Sequence, residues 1–223
     1  MHTFETTSPI AAVVDIPAGR IQLIAADRAD TVVEIRPANP ARNRDVKAAE
    51  QVLVDYGEGV LRIGVPPARH KVLGHSGAVE VTVQLPAGSR VEAKAAAAEL
   101  RGVGRLGDVS YRSAQGPVKL DEAASARISL ADGGVTVGRL GGAAEIGTQQ
   151  GDIRITEALG GEVLLSTQKG DISVEAGRGV SGTLDAGTSY GRIDNALRNA
   201  EGADAGLRIR ATTSYGDITA RSR

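Results

Sequence analysis

A repeat of about 18 residues constrains the fold of this chain more than any other feature of its sequence. Four copies are clear: GTQQGDIRIT from Gly147, STQKGDISVE from Ser166, GTSYGRIDNA from Gly187 and TTSYGDITAR from Thr212. Each contains a threonine, two variable residues, a glycine, a residue that is usually charged, and an isoleucine. With the glycine as anchor and weaker copies included, the anchors lie 17 to 25 residues apart, at Ala98, Gly116, Gly133, Gly151, Gly170, Gly191 and Gly216.

Apolar residues alternate with other residues on both sides of each anchor, which is the period of a β-strand. The positions two residues after the anchors are Leu100, Val118, Val135, Ile153, Ile172, Ile193 and Ile218. A unit of two short strands cannot bury its own apolar side chains, whereas stacked units bury them together. The sequence therefore predicts an all-β fold, a β-solenoid or β-helix-like stack of about 18-residue strand-turn-strand repeats, in which successive units stack on one another.

The whole chain is predicted to be a single β-solenoid domain, residues 1–223. Residues 1–94 are interpreted as irregular N-terminal turns of the same architecture with two excursions, and residues 95–223 as regular repeats. The excursions are RPANPARNRDVKAAEQ from Arg36 and PPARHKVLGHSG from Pro66. The first is compatible with one short helix near Asp45 to Gln51, and at most one short helix is expected in the chain.

Composition excludes several classes of function. Because 26 Lys and Arg residues balance 27 Asp and Glu residues, the chain has no net charge that would favour nucleic acid, and its few aromatics offer few platforms for stacking bases. Cysteine is absent, which excludes thiol catalysis and disulfides. Since the N-terminus does not resemble a signal peptide and no window resembles a transmembrane segment, we expect a cytoplasmic protein without membrane insertion.

Two short motifs match those of serine enzymes. GTSYG around Ser189 fits the G-x-S-x-G pattern of hydrolases, and STQK from Ser166 to Lys169 fits the S-x-x-K pattern of penicillin-binding enzymes. The hydrolase order of serine, acid and histidine is impossible, because all three histidines precede Ser189. Both motifs also coincide with the repeated turn. We therefore predict structural turns, and no catalytic residues.

Three further groups of residues are candidates for ligand binding. Asp152, Asp171 and Asp217 occupy equivalent positions after the anchor glycine, where stacking would bring like charges together unless a cation or a basic neighbour intervenes. A weak calcium ladder is one reading, and solvated turn residues are the favoured one, so no metal and no cofactor are predicted. The other two groups are read as solvated loops: the histidines His70 and His75, and the basic cluster Arg36, Arg42, Arg44 and Lys47.

The repeated T-x-x-G-D-[IV] turn, at Thr148, Thr167 and Thr213, together with VTVQLPAGSRVEA, resembles the bacterial putative-adhesin family of Gly-Asp-rich β-strand repeat proteins. The resemblance covers the chain from about Ile10 onward. It implies a β-solenoid of largely uncharacterised role, with some members tethered to the cell envelope or belonging to envelope-stress systems. It supplies no catalytic residues.

These observations favour a non-enzymatic structural or protein-interaction module, adhesin-like, that binds an unknown protein partner or itself. A self-assembling cytoskeletal or envelope-stress scaffold is the alternative. A carbohydrate-active β-helix enzyme is disfavoured, because sugar sites use aromatic platforms and this chain has no Trp and one Phe. Tyr190 and Tyr215, at equivalent positions of the last two repeats, are expected to stack as a ladder on the outside.

Overall fold

The computed structural model describes residues 1–65 and 77–223 of the chain. Within these two ranges, one α-helix, α1 (Asn43–Gln51), and one short 3-10 helix (Gly202–Asp204) accompany the strands. The strands are β1 (His2–Glu5), β2 (Ala11–Ala26), β3 (Asp30–Pro37), β4 (Leu53–Gly57), β5 (Val60–Gly64), β6 (Val79–Pro86), β7 (Arg90–Gln115), β8 (Val118–Asp132), β9 (Val135–Leu140), β10 (Ala144–Gln150), β11 (Ile153–Ala158), β12 (Gly161–Lys169), β13 (Ile172–Ala176), β14 (Gly182–Tyr190), β15 (Ile193–Ala196), β16 (Leu207–Tyr215) and β17 (Ile218–Ser222). The predicted all-β solenoid is confirmed.

Each turn of the solenoid, here called a rung, contributes one strand to each of two faces. The first face contains the strand before the anchor glycine, and the second face contains the strand after it. Neighbouring rungs pair in parallel with equivalent residues side by side, so that Ile146 lies beside Ile128 and Leu165. On the second face, Ile153 lies between Val135 and Ile172. The repeat therefore sets the register of the stack.

Between the two faces runs a core of aliphatic side chains, with one cluster extending from Ile10 to Ile218. The alternating positions of the repeat supply it, as Val163 and Leu165 do from β12. Tyr111 is a buried aromatic residue in this core, and its hydroxyl donates to the carbonyl of Ala98 at 2.6 Å. Burial raises the pKa of this phenol, and the Ser113 hydroxyl partly offsets the effect.

Backbone approach at the corner explains the anchor glycines. Gly151 has φ of 140°, and a Cβ there would lie 2.3 Å from the carbonyl oxygen of Gly133 on the next rung. A side chain is therefore excluded by both conformation and space. The threonine of the repeat joins the same corner, because the Thr167 hydroxyl donates to the carbonyl of Gly151 at 3.1 Å and that of Thr213 to Gly170 at 3.1 Å.

The order of the last two rungs differs from the chain order that the sequence predicted. β16 and β17, although last in sequence, pair with β12 and β13 on one side and with β14 and β15 on the other. The prediction that successive units stack on one another is therefore wrong for these rungs. The inward strand positions account for the exchange. Those of the unit from Leu207 to Ala220 are apolar apart from the threonine of the corner, whereas the unit ending the stack places Asn195 beside Ala220.

A similar exchange occurs at the other end, where β5 and β6 lie outside β2, which pairs with β7 on its other side. Here three antiparallel strands are added: β4 on β5, β3 on β6 and β1 on β3. The expectation that this region continues the repeat architecture is therefore only partly right. The predicted helix is confirmed as α1, which packs against β3 and β6.

Candidate interaction surface

Ion pairs between neighbouring rungs lie on the first face. Arg90 pairs with Asp108 at 3.0 Å, and Arg127 pairs with Glu145 at 3.3 Å. Both pairs line a shallow groove of about 620 Å³, together with Ser125, Glu162 and Leu164. Hydrogen bonds from Ser125 and from Arg90 hold the pKa of the Asp108 carboxyl below its usual range. These charges are engaged with each other across neighbouring rungs, and such cross-strand pairs favour the observed register by a small amount.

The second face has comparable pairs. Arg139 pairs with Glu157 at 3.6 Å, and Arg101 with Asp121 at 2.7 Å. Near the C-terminus, hydrogen bonds from Arg221 and then from Arg223 lower the pKa of the Glu175 carboxyl. The shifted carboxyl groups are thus stabilised as anions, whereas a general acid at neutral pH needs a raised pKa.

The three aspartates predicted to form a row lie on adjacent rungs in the order Asp152, Asp171, Asp217. Oδ1 of Asp152 accepts from the backbone N–H of Asp171 at 2.8 Å, and Oδ1 of Asp171 accepts from the N–H of Asp217 at 2.8 Å. Asp217 in turn accepts from the backbone N–H of Arg192 at 2.8 Å and from its guanidinium at 3.1 Å, contacts that together lower its pKa. Each carboxylate therefore has a donor.

That these aspartates are solvated turn residues without a bound metal stays a prediction. Residues 1–65 and 77–223 contain no group of three or more His, Cys, Asp or Glu residues placed to hold a metal ion. Closely spaced carboxylates need a favourable partner, and here the N–H donors supply one for each of the three aspartates.

A polar ridge runs along the corner where the first face meets the anchor glycines, and its members are Gln115, Asp132, Gln149, Gln150, Gln168, Lys169, Ser189, Tyr190, Ser214 and Tyr215. Eight of these ten side chains, all except those of Ser189 and Tyr190, line a groove of about 700 Å³. At its C-terminal end the rings of Tyr190 and Tyr215 stack, with centroids 5.0 Å apart and planes inclined by 3°. The expected external tyrosine ladder is confirmed.

The serine motifs lie on or beside this ridge. Ser189 is exposed in β14, and Ser166 and Lys169 are exposed in β12. His2 belongs to β1 at the opposite end of the stack. That neither serine is a nucleophile stays a prediction, and the structure places both motifs in the repeat, as the sequence argument requires.

Of the remaining candidates, His70 and His75 lie outside the described residues. Arg36 pairs with Glu34 at 2.6 Å, and Arg44 lies 3.7 Å from Asp45, with Arg42 just before α1 and Lys47 within it. The basic cluster is therefore divided between β3 and the helix and is partly neutralised.

Two features were missed from the sequence. Asp45 is 2% exposed, and its Oδ1 accepts from the backbone N–H of Ala78 at 3.0 Å, which ties α1 to the start of β6. The other is the outermost position of β14 and β15, which nonconsecutive pairing produces. An apolar row interrupted by Asn195 was the available signal for it.

None of the described helices has the length and apolarity needed to cross a membrane.

Comparison with known proteins places the chain among bacterial β-repeat proteins. The family model described as Toastrack DUF4097 matches residues 13–223. A "putative adhesin" from Bacteroides fragilis NCTC 9343 is 12% identical, with 98% of this chain and 95% of that chain covered and a TM-score of 0.49.

Two other solved structures are similar. A "putative lipid binding protein" from Parabacteroides distasonis ATCC 8503 is 13% identical over 98% of this chain and 95% of that one, with a TM-score of 0.47. A "putative cell adhesion protein" from Clostridium sporogenes ATCC 15579 is 10% identical over 100% and 98%, with a TM-score of 0.43. Among curated proteins, none matches this chain.

Proposed function

Because this chain belongs to the Toastrack DUF4097 family, a β-solenoid family of unknown function, we propose that it is a non-enzymatic module that binds a protein partner through its polar ridge. The stacked Tyr190 and Tyr215 pair is the observation that carries the proposal. These side chains are 68% and 57% exposed, in a chain with four Tyr, one Phe and no Trp. Folding alone gives no reason to leave two of its few aromatics in solvent.

The chemistry of the ridge suits a protein surface. Tyrosine contributes large contact area at low cost in conformational entropy and is enriched in protein interfaces. The rings already stack on each other and stand on paired strands, so binding a partner would cost little side-chain conformational entropy. The glutamines Gln149, Gln150 and Gln168 beside them offer amide donors and acceptors for peptide groups.

Two observations support a role without catalysis. The carboxyl groups with a shifted pKa, such as Asp108 and Glu175, are shifted downward by hydrogen-bonding neighbours, so they stay ionised at neutral pH and lack the raised pKa that a general acid needs. The raised pKa of Tyr111 belongs to a buried phenol bonded to a core carbonyl. These perturbed groups thus have structural partners, whereas catalytic groups face a substrate.

A pull-down with variants tests the ridge. The tagged chain is crosslinked in its native cells, and the captured proteins are compared with those captured by a Tyr190→Ala, Tyr215→Ala double variant. Because exposed tyrosines at interface centres contribute about 2 kcal/mol or more each, we expect at least roughly tenfold less partner with the double variant.

The matched control is a Lys119→Ala, Arg154→Ala double variant, which removes two exposed side chains from the second face. It should capture the partner as the wild type does. Equal capture by the tyrosine variant, or no specific protein with the wild type, would contradict the proposal.

A further inference from the structure

The two strands that end the stack, β14 and β15, form an open edge. Within residues 1–65 and 77–223, β14 pairs with β16 alone and β15 with β17 alone. Ile193 is 47% exposed, although the equivalent Ile172 and Ile218 are buried, and Leu184 and Ala186 are half-buried. The apolar core therefore reaches the surface at this rung.

The backbone of β14 presents unpaired groups at this edge. The N–H of Gly182 points away from β16, toward the carbonyl of Arg198, whereas the carbonyl of Ser181 points toward β16 and accepts from Leu207. Strand geometry alternates these directions, so the N–H and C=O groups of Leu184, Ala186 and Thr188 face outward. The loop after β15 covers one corner, through Leu197 and Arg198.

Natural proteins usually protect such edges with short strands, Lys, Pro or bulges. β14 has nine residues, GTLDAGTSY, with neither Lys nor Pro. Its one charged residue, Asp185, is already paired with Arg210 at 3.1 Å. The edge is thus long, nearly uncharged and free to accept another strand.

The opposite end of the stack is different. There, β4 and β3 cover β5 and β6, and the outermost strands β1 and β4 have only four and five residues, with acidic Glu5 and Asp55. Filament growth requires two compatible ends, whereas contact between two identical open ends is isologous and closes after two copies. Because only one end of the stack is open, the strand that best fits the open edge is the same edge of a second copy.

We propose that the chain forms a two-fold symmetric dimer in which β14 pairs antiparallel with β14 of a second copy, centred on Ala186. This register places Leu184 opposite Thr188, so the inward sides of both strands coincide and the two apolar cores become continuous. The outward-facing groups at 184, 186 and 188 then exchange about six backbone hydrogen bonds, two for each opposed pair.

Charge is compatible with this pairing. In this register Asp185 lies opposite Gly187 of the second copy, so no like charges are opposed along β14. Around the end rung three arginines, Arg178, Arg192 and Arg198, accompany four acidic residues, namely Asp185, Asp194, Glu201 and Asp204. A near-neutral, mixed surface matches another copy of itself better than a strongly basic or acidic partner.

This inference goes beyond the proposed function, because it uses the end of the stack and does not depend on the ridge. Its test is a pair of variants at Gly187, where a Cβ would meet no atom within 4 Å. Gly187→Asp places a carboxylate opposite Asp185 of the second copy, and Gly187→Lys places an ammonium there. Both variants should fold alike, and circular dichroism checks this.

Sedimentation velocity over a range of concentrations, at low salt and at 0.5 M salt, gives the dimer dissociation constant. We expect a dimer for the wild type and about fivefold or greater weakening for Gly187→Asp relative to Gly187→Lys at low salt, since each contact occurs twice in the dimer. Screening should shrink this difference at high salt.

Several results would overturn the dimer. These are a monomer at all concentrations, assemblies that grow beyond two copies, or a dimer whose dissociation constant is the same for both Gly187 variants. Such a result would not contradict the ridge proposal, because that proposal is tested by the amount of partner captured by the tyrosine variant. Conversely, a failure to capture a partner would not contradict the dimer, which is tested by sedimentation.

Discussion

The two ends of the solenoid differ in how their apolar core residues are covered. At the N-terminal end, the antiparallel strand β4 pairs beside β5 and Leu61 is fully buried, and β3 pairs beside β6 and Val81 is buried. At the C-terminal end, Ile193 of β15 is 47% exposed and Leu184 is half-buried. A stack of apolar rungs must end somewhere, and here one end is closed by the chain itself while the other is left available.

The largest expected difference between the ends concerns the free energy of unfolding. Leu61→Ala removes buried methyl groups and leaves a cavity, at a cost of about 2 to 5 kcal/mol. Ile193→Ala removes a side chain that is half in solvent, so we expect a cost below about 1 kcal/mol. Urea unfolding of both variants at a concentration where the wild type is monomeric measures this. Equal costs would mean that the ends are equally packed.

The next difference concerns local opening. Amides of β6 lie between two paired strands, whereas amides of β15 are paired on one side, so β15 should open at lower free energy. We expect hydrogen exchange at Ile193 to be at least roughly tenfold faster than at Val81, measured on monomer by mass spectrometry. Raising the concentration should protect β14 if the dimer forms. Uniform protection of both strands at low concentration would contradict the comparison.

The smallest expected effect is on titration. The pKa of Asp30, near the closed end, is lowered mainly by a side-chain hydrogen bond from Arg28, whereas that of Asp217, near the open end, is lowered first by the backbone N–H of Arg192. Arg28→Ala should therefore return Asp30 close to the ordinary value of 3.8, and Arg192→Ala should leave Asp217 still lowered. Carboxyl NMR titration checks both.

The sign of the linked stability follows from the direction of these shifts. A carboxyl with a lowered folded pKa stabilises the fold above its unfolded pKa, and this contribution is lost as pH falls through the folded value. Acidification should therefore weaken both contacts, and the Arg28→Ala variant should lose its acid sensitivity at Asp30. An Asp217 pKa that returns fully to 3.8 in Arg192→Ala would show that the backbone donor contributes little.

The repeat predicted much of the fold because its signals are local. Alternation at Ile153 and Ile155 identifies the strands, and the glycine at position 151 identifies the corner, since both follow from the conformation of a few consecutive residues. The helix α1 was predicted for a similar reason. The antiparallel pairing of β1, β3 and β4 was not predicted, because pairing direction depends on which distant segment a strand meets.

The polar ridge could be predicted in part. Equivalent positions of Tyr190 and Tyr215 suggested a ladder, and the structure brings the two rings into direct contact because their rungs are neighbours. The open edge was not predicted, since it depends on β16 lying between β12 and β14. The repeats are otherwise of nearly equal quality, and the signal for their order is a single position, Asn195, in an apolar row.

By itself, the sequence determined the rung: its two strands, its corner glycine, its inward aliphatic positions and its register against any similar rung. Tertiary structure decided the order of the rungs and the nature of the two ends. The physical reason is that every rung can pair with every other, so local geometry leaves the order free. The more apolar unit containing Ile209 and Ile218 gains more from being covered on both sides, which leaves the unit with Asn195 at the end.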